Sequence, residues 1–268
     1  VKPLVLTLRA RPDQRLDLAP LVPHKLAGMT AAQIERIELQ TTRRRVVLAD
    51  MFRLGMGDAA QVRIEGACDR LDQIGHQMTG GEIEVEGDVG TRAGRLMTGG
   101  RLAVHGSVGP WAASGMKGGT IEIFGDAGDR LGGPFAGEIA GMRGGVVHVR
   151  GSVGERAGDR MRRGTIVVEG DAGVYAGSRM IAGTLLVVGR SGALPGYLMK
   201  RGTIVLGKKA SLSPTFIDCG VHDLVAARLM AAFIDGYSTR AAKLLSRPLR
   251  RFVGDMATLG QGEIFLRA

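Results

Sequence analysis

Methionine recurs along this chain at a fixed interval. Met78, Met97, Met116, Met142, Met161, Met180 and Met199 are separated by 19, 19, 26, 19, 19 and 19 residues, the 26 being one unit with an insertion around Leu131–Gly141. Three residues after each Met stands a glycine: Gly81, Gly100, Gly119, Gly145, Gly164, Gly183 and Gly202. Two further columns follow the first six, Gly87, Gly106, Gly125, Gly151, Gly170 and Gly189, then Gly90, Gly109, Gly128, Gly154, Gly173 and Gly192. Each unit reads Met-x-x-Gly, a short strand alternating with period two, Gly-[Asp/Ser]-[Val/Ala]-Gly, and a variable turn. A unit this short has no room for a strand plus a helix. It fits one coil of a parallel β-helix, each coil stacked about 4.8 Å from the last. Seven coils predict a rod of roughly 34 Å on that spacing. Ile83 and Val85, with their equivalents through Leu185 and Val187, form the inward ladder, and the methionines fill a corner. Left-handed hexapeptide coils use about 18 residues each, and the 19-residue unit with paired glycines fits a right-handed helix better.

The sequence divides into three parts. Residues 57–207 are the glycine-repeat coils, with 57–77 a degenerate first one carrying Val62, Ile64 and Gly66. Residues 1–56 predict a small α/β cap: strands at Val5–Leu8 and Arg45–Ala49, and a helix over Thr30–Leu39 with Thr30 and Gln33 as a capping box. Residues 208–268 predict a helical tail, with Val221, Val225, Leu229 and Phe233 spaced as the buried stripe of an amphipathic helix. A second helix is expected over Ser238–Leu245. One outward column of the coils runs Glu84, Ala103, Glu122, His148, Val167, Leu186, Val205. It is charged early and aliphatic late, so the tail or a partner is expected to cover its late part.

Composition narrows the function classes. Of 268 residues, 43 are glycine and 44% are hydrophobic, with no collagen period and no stretch long enough for a membrane span. Val1–Ala10 lacks a basic segment followed by an apolar core, so no secretory signal is expected. Two cysteines, Cys68 and Cys219, make no disulfide framework. A cytoplasmic protein is the expectation. The net charge of +10 sits on the flanks: residues 1–56 carry 10 basic and 5 acidic side chains, 208–268 carry 9 and 5, and 57–207 carry 17 and 16. Basic flanks suit an acidic partner; nucleic acid is disfavoured because no aromatics interleave with the cations.

The search for chemistry returns little. The five histidines (His24, His76, His105, His148 and His222) show no metal-ligand spacing. Gly202-Thr-Ile-Val-Leu-Gly207-Lys208-Lys209 nearly matches a phosphate loop, but Lys209 replaces its Ser/Thr and the middle is a strand. Cys219 has only His222 near it in sequence. Glu84 and Glu122, two coils apart, stand about 9.6 Å apart on the coil spacing, outside the roughly 6.5–9.5 Å of an inverting glycosidase pair. No catalytic and no metal-binding residue is expected. Arg43, Arg44 and Arg45 are the best candidates for contact with a polyanion or acidic partner, with Lys208 and Lys209 second.

Gly87-Asp-Val-Gly90-Thr-Arg-Ala-Gly94 and Gly170-Asp-Ala-Gly173-Val-Tyr-Ala-Gly177 resemble the glycine-repeat β-helix at the C-terminus of glutamate synthase. With the N-terminal cap and the tail beginning Ile217-Asp-Cys-Gly220, the whole chain resembles the formylmethanofuran dehydrogenase C-subunit family. It is most similar to the branch from formyltransferase/hydrolase complexes of methylotrophic bacteria. The resemblance implies a non-catalytic scaffold in one-carbon metabolism. Such a complex moves a formyl group from tetrahydromethanopterin to a methanofuran or methylofuran carrier and hydrolyses it to formate. The implied partners are the hydrolase A-subunit, which with its zinc does the hydrolysis, the B-subunit, and the formyltransferase D-subunit. This chain is implied to bind no cofactor itself, although glutamate-rich carrier tails would suit its basic flanks. Two other readings stay open at this point: an architectural domain of a glutamate-synthase-like assembly, and a β-helix enzyme acting on polysaccharide.

Overall fold

A computed structural model describes residues 2–41 and 44–267. Its architecture is mainly β. A 13-stranded sheet runs in the spatial order Ile217–His222, Leu249–Gly254, Gln261–Arg267, Arg201–Leu206, Thr184–Val187, Arg163–Val168, Arg143–Val149, Thr120–Ile123, Arg101–Val104, Glu82–Gly87, Asp58–Ala67, Pro3–Leu8, Phe52–Gly55. From Pro3–Leu8 to Gln261–Arg267 every pairing is parallel; Phe52–Gly55 at one end and the two outer strands at the other are antiparallel.

The repeat sets the register. Glu84 pairs with Ala103, Ala103 with Glu122, Glu122 with His148, His148 with Val167, Val167 with Leu186 and Leu186 with Val205. This is the outward column expected from the sequence. The residues on either side of it, from Ile83 and Val85 to Ile204 and Leu206, are fully buried, as are all seven repeat methionines. Burying such a side chain stabilises by about 1.5–3 kcal/mol.

Each unit bonds to its neighbours on two further stretches. Val89, Val108, Ala127, Val153, Ala172 and Ser191 form successive single-residue parallel pairings. In the turn, Gly94 N donates to Ile74 O at 2.8 Å, Ala113 N to Ala93 O at 2.8 Å, and so on to Gly196 N and Ala176 O at 2.8 Å. The Asp/Ser position of the glycine motif has its own ladder. Asp88 Oδ1 accepts from Ser107 N at 2.7 Å, Ser107 Oγ from Asp126 N at 3.1 Å, and Asp126 Oδ1 from Ser152 N at 2.7 Å. Short acceptors at this corner satisfy backbone donors that a sharp turn leaves without a strand partner.

The glycine before each strand is obligatory. Gly81, Gly100, Gly119, Gly145, Gly164, Gly183 and Gly202 have φ between +80° and +101°. A Cβ on Gly100 would lie 2.5 Å from Met78 Cε and 2.6 Å from the Gly81 carbonyl oxygen. The methionine of one unit thus occupies the space that the next unit's missing side chain leaves. The insertion folds back on the units beside it: Phe135 lies edge-on to Trp111 and beneath the Arg92 and Arg95 guanidiniums, and Glu138 pairs with Arg95.

Both flanks differ from expectation. In the first, the helix is Ala31–Glu35, shorter than Thr30–Leu39, because the chain enters strand Glu38–Thr41; the Thr30–Gln33 capping box is present. The expected strand at Arg45–Ala49 is Val46–Val47 followed by helix Leu48–Met51. A separate four-stranded sheet joins Val46–Val47, Glu38–Thr41, Leu16–Asp17 and Leu71–Asp72. The last flank is mixed rather than helical. Helices Val225–Asp235 and Thr239–Leu245 are followed by two strands, and Gln261–Arg267 stacks parallel on Arg201–Leu206 as a further rung. Gly262, Ile264 and Leu266 pair with Gly202, Ile204 and Leu206.

Candidate functional site

The early outward face is an ion ladder. Arg63 donates to Glu84 at 2.9 Å, and His105 Nε2 lies 2.9 Å from the same carboxylate. Glu122 accepts from Arg101 at 2.9 Å and from Arg150 at 2.8 Å. The hydrogen bond to His105 holds the Glu84 carboxyl below the usual range despite partial burial, with Arg63 adding to it. Burial pushes Glu122 up, but its two arginines more than offset this. Both carboxylates are charged and committed to cations, which is the opposite of a raised-pKa general acid.

The late outward face lies under the tail. Val167, Leu186 and Val205 form a buried cluster with Ala227, Ala231, Ile234, Ala241, Ala242, Leu244, Leu245, Leu249 and Phe265. The tail therefore covers the aliphatic column, but not with the stripe that hydropathy selected. Val225, Leu229 and Phe233 are 63%, 69% and 51% exposed, and Val221 is exposed on the neighbouring strand. Ala227, Ala231 and Ile234 are the buried residues of the helix, which packs on helix Thr239–Leu245, and its large side chains point away. A polar tether fixes the arrangement. Buried His148 Nε2 lies 3.0 Å from Glu169 Oε1, which also accepts from Ser238 Oγ at 2.6 Å; Ser238 in turn caps helix Thr239–Leu245 by accepting from Ala241 N at 3.2 Å.

Strand Ile217–His222 is one edge of the large sheet, Phe52–Gly55 being the other, and exposes Ile217. The Cys219 thiol faces its own chain at Ile217 O, 3.7 Å away, and His222 Nε2 lies 2.9 Å from the Cys219 carbonyl oxygen. The imidazole addresses the backbone, so this is not a nucleophile–base pair. Among the described residues no three His, Cys, Asp or Glu side chains converge as a metal site. No helix among them is long and apolar enough to cross a membrane.

The basic candidates separate. Arg43 lies outside the described residues. Exposed Arg44 pairs with Asp13 at 3.6 Å and exposed Arg45 with Glu38 at 3.0 Å. Lys209 is exposed beside Lys208. Lys208 lines a cavity of about 290 Å³ with Arg240, Lys243, Arg247 and Arg267, over a floor of Val188, Gly207 and Leu244. Sequence reasoning missed the last four cations. The signal was Arg240, Lys243 and Arg247 at helical spacing. A larger apolar cleft of about 490 Å³ lies in the N-terminal region among Leu4, Leu26, Met29, Ile34 and Met56.

Comparison with known proteins places this geometry. The chain is 53% identical over 264 residues, covering 98% of it and 99% of the relative, to the C-subunit of the formyltransferase/hydrolase complex Fhc of Methylorubrum extorquens. This chain belongs to the Fhc C-subunit family. Its fold superposes with a TM-score of 0.95 and 44% identity on a chain in the crystal structure of the M. extorquens formyltransferase/hydrolase complex (FhcABCD) in complex with methylofuran, covering 98% of this chain and 99% of that one. Beyond the Fhc proteins, an 89-residue stretch is 32% identical to the C-subunit of the tungsten-containing formylmethanofuran dehydrogenase 2 of Methanococcus maripaludis, about a third of each chain. No family model matches the chain.

Proposed function

We propose that this chain is the non-catalytic scaffold of a formyltransferase/hydrolase complex. That complex would convert formyl-tetrahydromethanopterin to formate through a methanofuran-type carrier, with the hydrolytic zinc and the transfer chemistry on its other polypeptides. The near full-length identity to the Fhc C-subunit supports the membership. One observation carries the scaffold role. Helix Val225–Asp235 buries Ala227, Ala231 and Ile234 in the cluster over the sheet, while Val225, Leu229 and Phe233 face outward on its other side. A row of large apolar side chains held rigidly in water is a cost that a partner surface removes.

The parallel ladder, the Val89-to-Ser191 pairings and the turn bonds support coils closed as a right-handed parallel β-helix. In this reading residues 1–56 cap the first coil, 57–207 supply the regular coils and 208–268 form the docking tail. Pro3–Leu8 and Gln261–Arg267 add rungs at the two ends. Arg43, Arg44, Arg45, Lys208 and Lys209 are the proposed contacts for an acidic partner or polyanion. A cytoplasmic setting suits the two unpaired cysteines.

The test is co-expression with the hydrolase, formyltransferase and remaining polypeptides of the complex, and purification through a tag on one of them. Leu229→Ser with Phe233→Ser is a surface change, expected to leave the chain's own stability within about 0.5 kcal/mol. It is expected to lower the amount of this chain that co-purifies. Undiminished co-purification refutes the stripe as the interface, and formyl hydrolysis by the isolated chain refutes the non-catalytic role.

A further inference from the structure

The turn of each repeat unit holds a large side chain in a strained backbone position. Arg92, Trp111, Arg130, Arg156, Tyr175 and Leu194 take equivalent places in successive units, with φ between +54° and +64°. Each donates its amide to a carbonyl of the turn that follows, as Arg92 N does to Pro110 O and Tyr175 N to Ala193 O, both at 2.9 Å. The column therefore follows the repeat, and from Arg92 to Leu194 it spans about 24 Å at about 4.8 Å per unit. Glycine tolerates this conformation and larger residues are strained in it. The same turns do use glycine two residues on, where there is no room: a Cβ on Gly94 would lie 2.2 Å from Ile121 Cδ1, and one on Gly177 2.4 Å from Ile204 Cδ1. The strained column itself is half-buried, and all its members but Leu194 are arginine or aromatic. Strain retained for side chains that lie outside the core points to a function for them.

The composition of this flank is that of a protein interface. The chain's single Trp and two of its three Tyr lie here, Tyr175 and Tyr197 at 5.7 Å. The insertion adds Phe135 against Trp111 and leaves Ile139 exposed. Trp, Tyr and Arg are the side chains that most often dominate binding between proteins. The charges are left open. In the turns from Arg92 to Leu194, Glu138 is taken by Arg95, Asp159 by Arg179 and Asp129 by the Glu155 amide. Arg92, Arg130, Arg156 and Arg160 have no ion pair among the described residues. Arginine alternating with aromatic rings also suits single-stranded nucleic acid. Here the ring faces are occupied: Arg156 covers Tyr175 at 4.7 Å, and Arg92 and Arg95 lie over Phe135 at 5.6 and 5.1 Å. None of these residues belongs to the cluster beneath the tail helices, so the column and the tail stripe are separate surfaces.

We infer that the turn column is a second protein interface of this chain, taking a carboxylate-bearing surface of another polypeptide of the complex. The inference rests on the scaffold reading and adds to it a contact that does not involve the tail.

The experiment tags this chain in the co-expressed complex and quantifies every polypeptide that co-purifies. Arg130→Asn with Arg156→Asn and Tyr175→Asn is the interface variant, because asparagine accepts left-handed φ more readily than arginine or tyrosine. Arg36→Gln with Arg53→Gln is the control and removes the same charge from exposed sites in the N-terminal region. The interface variant is expected to lower one polypeptide by about tenfold or more, and the control to lower each by less than about twofold. The urea midpoint of the isolated interface variant is expected to hold or rise; a lower midpoint assigns the column to the fold and overturns the inference. Arg130→Glu with Arg156→Glu is expected to release the same polypeptide, and its full retention overturns the acidic partner. Tight binding of a single-stranded oligonucleotide that is lost in the interface variant overturns the protein interface. Release by Leu229→Ser with Phe233→Ser but none by the interface variant overturns this inference and leaves the scaffold reading standing.

Discussion

Gly100→Ala isolates what the repeat glycines contribute. The residue sits at φ +82°, where an alanine costs about 1–2 kcal/mol in backbone strain alone. Its Cβ would also stand 2.5 Å from Met78 Cε and 2.6 Å from Gly81 O. The methionine tip can move, but the carbonyl belongs to the adjoining rung, so the spacing between units must open. Overpacking of this kind costs about 1–3 kcal/mol, for a total of about 2–5 kcal/mol. Gly137→Ala is the matched control: φ is +83°, and nothing lies within 4 Å of the added atom. It should cost only the strain, about 1–2 kcal/mol. Urea midpoints of the two variants give the difference. Amide exchange at Ile83–Val85 and Leu102–Val104 then reports whether the loss is local to the two rungs, which matters because stacked units need not unfold as one. Equal destabilisation by the two alanines would refute the claim that rung contact, rather than backbone conformation, demands glycine here.

Two other outcomes follow from the tail. Glu169→Ala leaves buried His148 and Ser238 without their shared partner and should cost about 1–3 kcal/mol, measured by thermal unfolding. Burial raises the Glu169 carboxyl and the bonds from Ser238 and His148 more than reverse this, so it is held below its ordinary value. Its contribution is therefore complete above about pH 4.3 and disappears as pH falls through the lowered value; unfolding temperatures of the wild type and Glu169→Gln should converge on acidification. Leu186→Ala removes a fully buried side chain beneath the tail helices and should cost about 2–5 kcal/mol. Limited trypsin digestion should then cut faster at Arg228 and Arg240, and unchanged cleavage would show that the tail is held elsewhere.

The rungs were legible because one spacing repeats at the level of single residues. Glu84, Ala103, Glu122 and His148 align by spacing alone, and pair in that order. The last rung was hidden. Gly262-Glu-Ile264-Phe-Leu266 repeats Gly202-Thr-Ile204-Val-Leu206, but the intervening tail removes it from the 19-residue phase. Hydropathy selects the wrong face of the tail helix because it weighs size. Ala227 and Ala231 pack inside for their smallness, and Leu229 and Phe233 are left out. The cationic cavity was invisible for another reason: Lys208, Arg240 and Arg267 are far apart in sequence, and only the return of the last strand to the parallel ladder brings them together.

The insertion at Leu131–Gly141 leaves Thr120 paired directly with Val146, so extra residues leave the stack sideways without changing its pitch. Length is therefore quantised in this molecule. Removing residues 97–115, one period from methionine to methionine, joins two faces that already present matching donors and acceptors. It draws the two ends together by about 4.8 Å while leaving the surface at each end unaltered. The number of repeats acts as a molecular ruler, setting the distance between strand Pro3–Leu8 and strand Gln261–Arg267.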